Sequence, residues 1–158
     1  MEEPILTTLR HHPFVHEFEA RHVETLAALG REIRFERNQI IFREGDDCSE
    51  FYLINNGLLA LEIEIPGHVF RVQTLFAGDE LNWSSLMIGS GKQFQARTLE
   101  RVDALAFDAP QLLAACSKDP LFGFVFMQRL LRVVAERLQA TRLQLLDAYS
   151  PAAARAGA

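Results

Sequence analysis

Cysteine, tryptophan and long apolar runs are all scarce in this sequence. Its 158 residues include two cysteines, Cys48 and Cys116, which lie far apart and in no metal-ligand spacing. Two scattered cysteines cannot hold an iron–sulfur cluster, so we interpret both as reduced thiols that pack as small hydrophobic side chains. No window approaches about 18 consecutive apolar residues, and we therefore expect no transmembrane helix.

A surplus of positive charge is missing as well. The chain has 16 lysines and arginines against 21 acidic residues, a net charge of -5. Such a balance gives no general attraction to nucleic acid or to anionic membranes. The acidic start, MEEPILTTLR, lacks the basic-then-apolar layout of a signal peptide. We expect a cytoplasmic protein with no membrane or nucleic-acid partner.

Histidine recurs near the start, but in no ligand pattern. Four of the five histidines precede Gly30: His11, His12, His16 and His22. No acidic or cysteine partner completes a zinc spacing, so we expect these four side chains on the solvated surface and no metal site. The strand region holds a single histidine, His68, whereas a cupin-type metal enzyme needs several. No nucleophile–base–acid arrangement can be argued, and we predict no catalytic residues.

Hydrophobic periodicity divides the chain into segments. Residues 1–29 are expected to be helical, with Val23, Leu26 and Leu29 at three-residue spacing. Residues 30–108 contain short strand-like runs: REIRFE, QIIF, EFYLIN, LLALEIEI, VFRVQTLF, FQARTL and VDALAF. Alternation places Leu59, Leu61, Ile63 and Ile65 on one face of its strand. Many short strands with flanking helices predict a mainly β (α+β) fold, a β-sandwich or a jelly-roll barrel.

Residues 109–149 read as a short helix followed by a long one from Pro120 to about Tyr149, and residues 150–158 as a flexible tail. The long helix carries two apolar stripes. One is a heptad seam: Phe124, Met127, Leu131, Val134, Leu138, Thr141, Leu145 and Ala148. The other covers only the first half: Phe122, Phe126, Leu130 and Val133. We expect the second stripe to pack on the barrel and the seam, within residues 120–148, to pair with a second copy. A broad core stripe in a monomer is the alternative.

Two segments carry a family resemblance. EGDDCSEFYLINNG, residues 44–57, matches the pattern Glu-Gly-Asp, four variable residues, Phe/Leu-Tyr-x-Ile/Leu-x-x-Gly. AERLQATR, residues 135–142, is similar to the same region of bacterial cyclic-AMP receptors. Over residues 12–148 the chain resembles the cyclic-nucleotide-binding sensor domain of the catabolite-activator and fumarate-nitrate-regulator superfamily. The resemblance implies a double-stranded β-helix (jelly-roll) barrel with N-terminal helices and a long C-terminal dimerisation helix.

The phosphate-binding cassette of that superfamily reads Gly-Asp-x-hydrophobic-Gly-Glu-x-Ala/Ser-Leu, followed by an arginine. The residues that match it are Gly78, Asp79, Leu81, Ser85 and Leu86. Asn82 stands at the family glycine, Trp83 at the glutamate that accepts the ribose 2′-hydroxyl, and Ser84 at the variable position. Counting back from Ala96 puts the phosphate-binding arginine at about Ser90, and no arginine lies between Arg71 and Arg97.

Loss of both the glutamate and the arginine bears directly on the ligand. A charge-assisted hydrogen bond contributes roughly 1.5–3 kcal/mol. Two such losses would lower the affinity for a cyclic nucleotide by about a thousandfold. We therefore predict that cyclic AMP is not bound tightly, and that the ligand is either another small molecule or absent.

Several other residues have two interpretations. Lys92 shares a strand face with Phe94 and Ala96 by alternation, and it either supplies a charge near the phosphate site or is solvated in its loop. The resemblance places Thr141 where the family's receptors contact the base, while a polar seam residue is the other interpretation; Arg142 departs from their serine. Trp83 either stacks on a planar ligand or fills the space of an absent nucleotide.

The combination of a W-S-x-L cassette with ERLQATRLQLLD resembles small single-domain bacterial members of the superfamily. Those members lack a DNA-binding module, and we expect none here. A haem-based sensor would need Cys or His ligands near the cassette or the long helix, and Cys48 and His68 lie on turns of other segments. Two hypotheses remain: a homodimeric sensor that transmits ligand binding to a partner protein, and a structural interaction module whose pocket is plugged by Trp83.

Overall fold

The computed structural model describes residues 3–87 and 94–149. Ser90, Lys92 and the tail 150–158 lie outside them, so the interpretations of these residues stay predictions. The chain begins with helix α1 (Pro4–Arg10), a 3-10 turn (Pro13–Val15) and helix α2 (Ala20–Leu29). Val23 and Leu26, two of the periodic apolar residues, are buried in α2.

The prediction that the N-terminal histidines are solvated is wrong for two of them. His11 and His16 are exposed, but His12 is 4% and His22 1% exposed. The ring of His12 is buried because it bridges two backbone groups: its Nε2 donates to the carbonyl of Ile54 at 3.0 Å and its Nδ1 accepts from the amide of Phe14 at 3.1 Å. His22 lies one turn before Leu26 and so shares the core-facing side of α2.

Eight strands form two antiparallel sheets. They are β1 (Gly30–Phe35), β2 (Ile40–Phe42), β3 (Glu50–Asn56), β4 (Leu58–Ile65), β5 (His68–Phe76), β6 (Glu80–Leu81), β7 (Gln95–Thr98) and β8 (Val102–Asp108). One sheet has the order β1-β8-β3-β6 and the other β2-β7-β4-β5. Each of the seven strand-like runs contains a strand, and the two packed sheets confirm the jelly-roll fold.

Strand β3 serves two cores by alternation. Phe51 and Leu53 face the helices, whereas Tyr52 and Ile54 face the space between the two sheets. The predicted alternation of β4 is only partly matched by burial. Leu59 and Leu61 are buried, but Ile65 at the end of the strand is 48% exposed, and Glu62 of the opposite face is 2% exposed. Burial of Glu62 follows from its bidentate ion pair with Arg97, at 2.6 and 3.0 Å.

Two helices close the structure: α3 (Ala109–Lys118) and α4 (Pro120–Tyr149). The carboxylate of Asp108 caps α3 by accepting from the amide of Gln111 at 3.0 Å. Gly123 lets α4 approach α3, since a Cβ there would lie 2.6 Å from the carbonyl oxygen of Cys116. Both cysteines are free and pack against the cores, as predicted.

The two stripes of α4 behave differently. The second stripe is buried against the barrel, as expected: Phe122, Phe126, Leu130 and Val133. Most seam residues are exposed, with Phe124 at 60% and Leu131 at 69%, whereas Val134 is half-buried. None of the helices within the described ranges is long and apolar enough to cross a membrane.

Candidate ligand-binding site

The cassette begins with a tight turn between β5 and β6. Gly78 has φ +94°, a conformation that favours glycine, and the carboxylate of Asp79 accepts from the amide of Phe76 at 2.8 Å. The turn is fastened to β3 because Ile54 exchanges two backbone hydrogen bonds with it: the amide of Gly78 donates to the Ile54 carbonyl, and the Ile54 amide to the carbonyl of Asp79, each at 2.9 Å. This fixes the direction in which the following residues enter the barrel.

Asn82 occupies the position of the family glycine in the left-handed conformation, with φ +71°. Asparagine tolerates that conformation better than other non-glycine residues. Its side-chain amide donates to the carbonyl of Glu50 at 2.7 Å, and its backbone carbonyl accepts from the hydroxyl of Ser85 at 2.7 Å. Asn82 therefore keeps the turn while filling it with a buried side chain. Trp83 then opens a 3-10 turn, Trp83–Leu86.

Beside Trp83 lies a cavity of about 420 Å³. Its β-roll wall consists of Phe42, Leu61, Val72, Gln73, Leu81 and Phe94. The cassette adds a second wall: Asn82, Trp83, Ser84 and Met87. The volume falls within the range of small-molecule pockets, and the mainly apolar lining with a few polar groups is typical of them.

Helix α4 forms the remaining wall of the cavity. Its contribution is Val134, Arg137, Leu138 and Thr141, one face of the helix. Further along, the side chain of Gln144 donates to the carbonyl of Val72 at 3.5 Å, so the helix crosses β5. Val134 and Leu138 also belong to the predicted dimer seam.

Arg137 and Glu80 form a buried ion pair at the edge of this wall. The Nη2 of Arg137 donates to the backbone carbonyl of Glu80 and lies 3.4 Å from its Oε1. The two side chains are 13% and 9% exposed. Burial raises the pKa of the Glu80 carboxyl, and the guanidinium of Arg137 opposes that shift. Sequence reasoning missed both residues, although Arg137 stands one helical turn before Thr141 and could have been placed on the same face.

The structure brings together about half of the predicted pocket residues. Those that line the cavity are Leu81, Asn82, Trp83, Ser84, Phe94 and Thr141. Others support the walls without lining it: Gly78, Asp79, Ser85, Leu86 and Ala96. Arg142 is exposed and does not line the cavity, because the residue after Thr141 is turned away from it by the helix. Across residues 3–87 and 94–149, no group of three or more His, Cys, Asp or Glu side chains is placed to hold a metal ion.

Comparison with known families decides what this architecture is. The family model described as the cyclic nucleotide-binding domain matches residues 32–119, more than half of the chain. The chain belongs to the cyclic nucleotide-binding domain family. This family consists of regulatory domains, and the match includes the cassette and all of the strands except the start of β1.

Solved structures share the fold of this cyclic nucleotide-binding domain. One is a cyclic nucleotide-binding domain from Methylobacillus flagellatus, 19% identical, with a TM-score of 0.78 over 90% of this chain and 80% of that one. The N-terminal domain of a transcriptional regulator from Streptomyces coelicolor is 22% identical, with a TM-score of 0.68 over 87% and 94%. The Catabolite Activator Protein of Thermus thermophilus is 22% identical, with a TM-score of 0.71 over 84% and 61%. None of the curated proteins matches the chain.

Proposed function

We propose that this cyclic nucleotide-binding domain is a homodimeric, non-catalytic sensor whose cavity binds a small molecule other than a tightly held cyclic nucleotide. The cavity of about 420 Å³ beside Trp83 supports this proposal more than any other observation. Trp83 stands at its wall with space next to the ring, which favours the stacking interpretation over a plug. Because α4 forms one wall, a ligand there contacts the helix that also carries the seam.

Cyclic AMP is a poor candidate for that ligand. The family glutamate is replaced by Trp83, and among the described lining residues the one cationic side chain is Arg137, which is already paired with Glu80. A buried cyclic phosphate would therefore lack the arginine that ordinarily pairs with it, and such a phosphate is costly to bury.

The exposed seam supports the homodimer. Leu131, Leu138 and Leu145 are 69%, 50% and 56% exposed and recur at heptad spacing on one helix face. A row of this kind is typical of a helix that pairs with a second copy, and a change in the position of α4 on ligand binding would alter the surface that a partner protein contacts.

Trp83 allows a direct test because it is the only tryptophan. We would titrate the purified protein with cyclic AMP, cyclic GMP and a set of bicyclic aromatic compounds, and follow Trp83 fluorescence and the melting temperature. We expect saturable binding of some aromatic compounds and none of the nucleotides at micromolar concentration. Tight binding of cyclic AMP would contradict the proposal.

A matched pair of variants locates the binding. Val72→Phe places a larger side chain at the cavity wall, whereas Val69→Phe makes the same change on β5 where Val69 is 46% exposed and outside the cavity. We expect binding to be lost in the first and retained in the second. If no compound binds and Val72→Phe only raises the melting temperature, the domain is a ligand-free interaction module.

A further inference from the structure

We propose that the cavity selects an uncharged, planar molecule of about two fused rings that offers a hydrogen-bond acceptor to Arg137, and that Glu80 is the residue that rejects anions. This inference rests on the proposed function, since it specifies the ligand of the same cavity. It follows from the charge balance at the α4 wall, from the donors that remain there, and from the shape of the lining.

The charge balance comes first. Glu80 and Arg137 are both nearly buried, and they are in contact, so the pair contributes no net charge to the cavity. Glu80 is not itself a lining residue, but its Oε1 lies 3.4 Å from Nη2 of Arg137, so an anion that approached the guanidinium would also come close to the Glu80 carboxylate. In a poorly solvated site that repulsion offsets the attraction to Arg137. A neutral ligand meets no such repulsion.

Unused hydrogen-bond donors indicate what the ligand must carry. All of the described hydrogen bonds of the Arg137 side chain come from Nη2, and within residues 3–87 and 94–149 its Nε and Nη1 donate to no other protein group. The side-chain amide of Gln73, half-buried on β5, likewise has no hydrogen-bond partner among those residues. A ligand with a carbonyl oxygen can accept a hydrogen bond from these donors, which are not fully buried in the single chain.

The shape of the lining favours rings. Three aromatic side chains, Phe42, Trp83 and Phe94, come from a strand, the cassette and the segment before β7. Leu61 of β4 and Leu81 of β6 add aliphatic side chains to the same lining. Aromatic side chains prefer stacked or edge-on contact with planar groups, and the volume of about 420 Å³ accommodates two fused rings.

Two nearly isosteric probes test the charge selection. 2-Naphthamide is neutral and 2-naphthoate is an anion at about pH 7.5, and both carry a carbonyl oxygen on the same two rings. Titration followed by Trp83 fluorescence should show that the wild-type protein binds naphthamide at least about tenfold more tightly than naphthoate. Equal affinity, or a preference for naphthoate, would overturn the inference while leaving a small-molecule cavity in place.

The variant Glu80→Gln removes the carboxylate and leaves Arg137 with an uncompensated charge. We expect naphthoate to bind at least about tenfold more tightly to this variant than to the wild type, with naphthamide little changed. Glu64→Gln, the same change at an exposed residue of β4, should leave both affinities unaltered. If Glu80→Gln does not fold, the selectivity of the wild-type protein decides alone.

Failure of this inference differs from failure of the proposed function. Suppose that neither naphthyl probe binds, but that another compound binds the wild type and not Val72→Phe. The proposed ligand class would then be wrong, while the proposed sensor function would stand. If nothing binds to wild type or to either variant, both are wrong.

Discussion

The Nε2 of His12 donates to the carbonyl oxygen of Ile54 at 3.0 Å, and the same oxygen accepts from the amide of Gly78. The N-terminal segment is thereby joined to β3 at the point where β3 holds the cassette turn. Pro13, the next residue, packs closely on Gly78 of that turn: a Cβ added to Gly78 would lie 3.2 Å from the Cγ of Pro13. A histidine with this role must stay neutral to keep Nδ1 free to accept from Phe14.

Stability should therefore depend on the protonation of His12. Burial lowers its pKa below the ordinary value of 6.5, and Arg129 adds to the shift, whereas the carbonyl of Ile54 and Asp79 oppose it. A lowered pKa in the folded state means that the unfolded chain binds the proton first as pH falls. The stabilisation that neutral His12 provides is complete above about pH 6.5, and it is lost as pH falls from that value through the pKa of His12 in the folded state.

Urea denaturation between about pH 8 and 5 checks this, as the difference in unfolding free energy between wild type and His12→Gln. Glu80 has a raised pKa, so its contribution to stability increases as pH falls, opposite to that of His12. Because both proteins contain Glu80, this effect cancels in the difference between their unfolding free energies. His16→Gln, at an exposed position, should keep the wild-type pH profile. A difference that does not change with pH would show that His12 does not titrate in this range.

Replacing His22 should stabilise the protein. Its side chain is 1% exposed, and among the described residues neither ring nitrogen has a hydrogen-bond partner. The ring packs 5.9 Å from that of Phe122, between centroids. We expect His22→Leu to raise the unfolding free energy by about 1 kcal/mol, since an unpaired buried polar group is removed. The control His16→Leu should change it by less than about 0.5 kcal/mol. A loss of stability in His22→Leu would mean that the imidazole is bonded.

Gly57 should not accept a side chain. Its φ is +105°, and a Cβ there would overlap the carbonyl oxygen of Arg101 and lie 2.9 Å from the Cα of Val102. We expect Gly57→Ala to cost more than about 3 kcal/mol in chemical denaturation, because strain and a backbone clash add. Gly67→Ala separates the two causes, since Gly67 has φ +81° but nothing within 4 Å. It should cost about 1 kcal/mol. Similar losses in the two variants would contradict the clash.

The seam can be broken without unfolding the domain. Leu131 is 69% exposed in the single chain, so Leu131→Glu should leave the melting temperature of the isolated fold nearly unchanged while it introduces charge into the proposed dimer interface. Light scattering after size-exclusion chromatography should report a monomer for Leu131→Glu and a dimer for wild type. Leu143→Glu, at 54% exposure and off the seam, should remain dimeric. A monomeric wild type would overturn the homodimer.

Local patterns predicted the elements well because each is specified by neighbours in the chain. The seven strand runs and the buried stripe of Phe122, Phe126, Leu130 and Val133 follow from periods of two and of three to four residues. The burial of His12 could not be predicted in this way, because the 3-10 turn at Pro13 breaks the helical period and its partner Ile54 is 42 positions away.

The ion pair of the cavity escaped prediction for the same reason. Glu80 occupies a variable position of the cassette, and its partner Arg137 lies 57 positions further along. Thr141, which the resemblance assigns to the pocket, lines the cavity, whereas Arg142 is exposed and does not, since adjacent residues on a helix point about 100° apart. Sequence reasoning therefore identified the cassette and one side chain of α4, and the fold was needed to bring the charges together.

Val134 and Leu138 line the cavity and stand in the heptad seam. In the proposed homodimer a substitution at either position therefore changes both the contacts with the ligand and the contacts with the helix of the second copy. Substitutions that change ligand preference during evolution should therefore occur on the strands, at Phe42, Leu61 or Val72. A mutation there alters the cavity and leaves the dimer seam unchanged. The helix side is the part of the cavity that is least free to evolve.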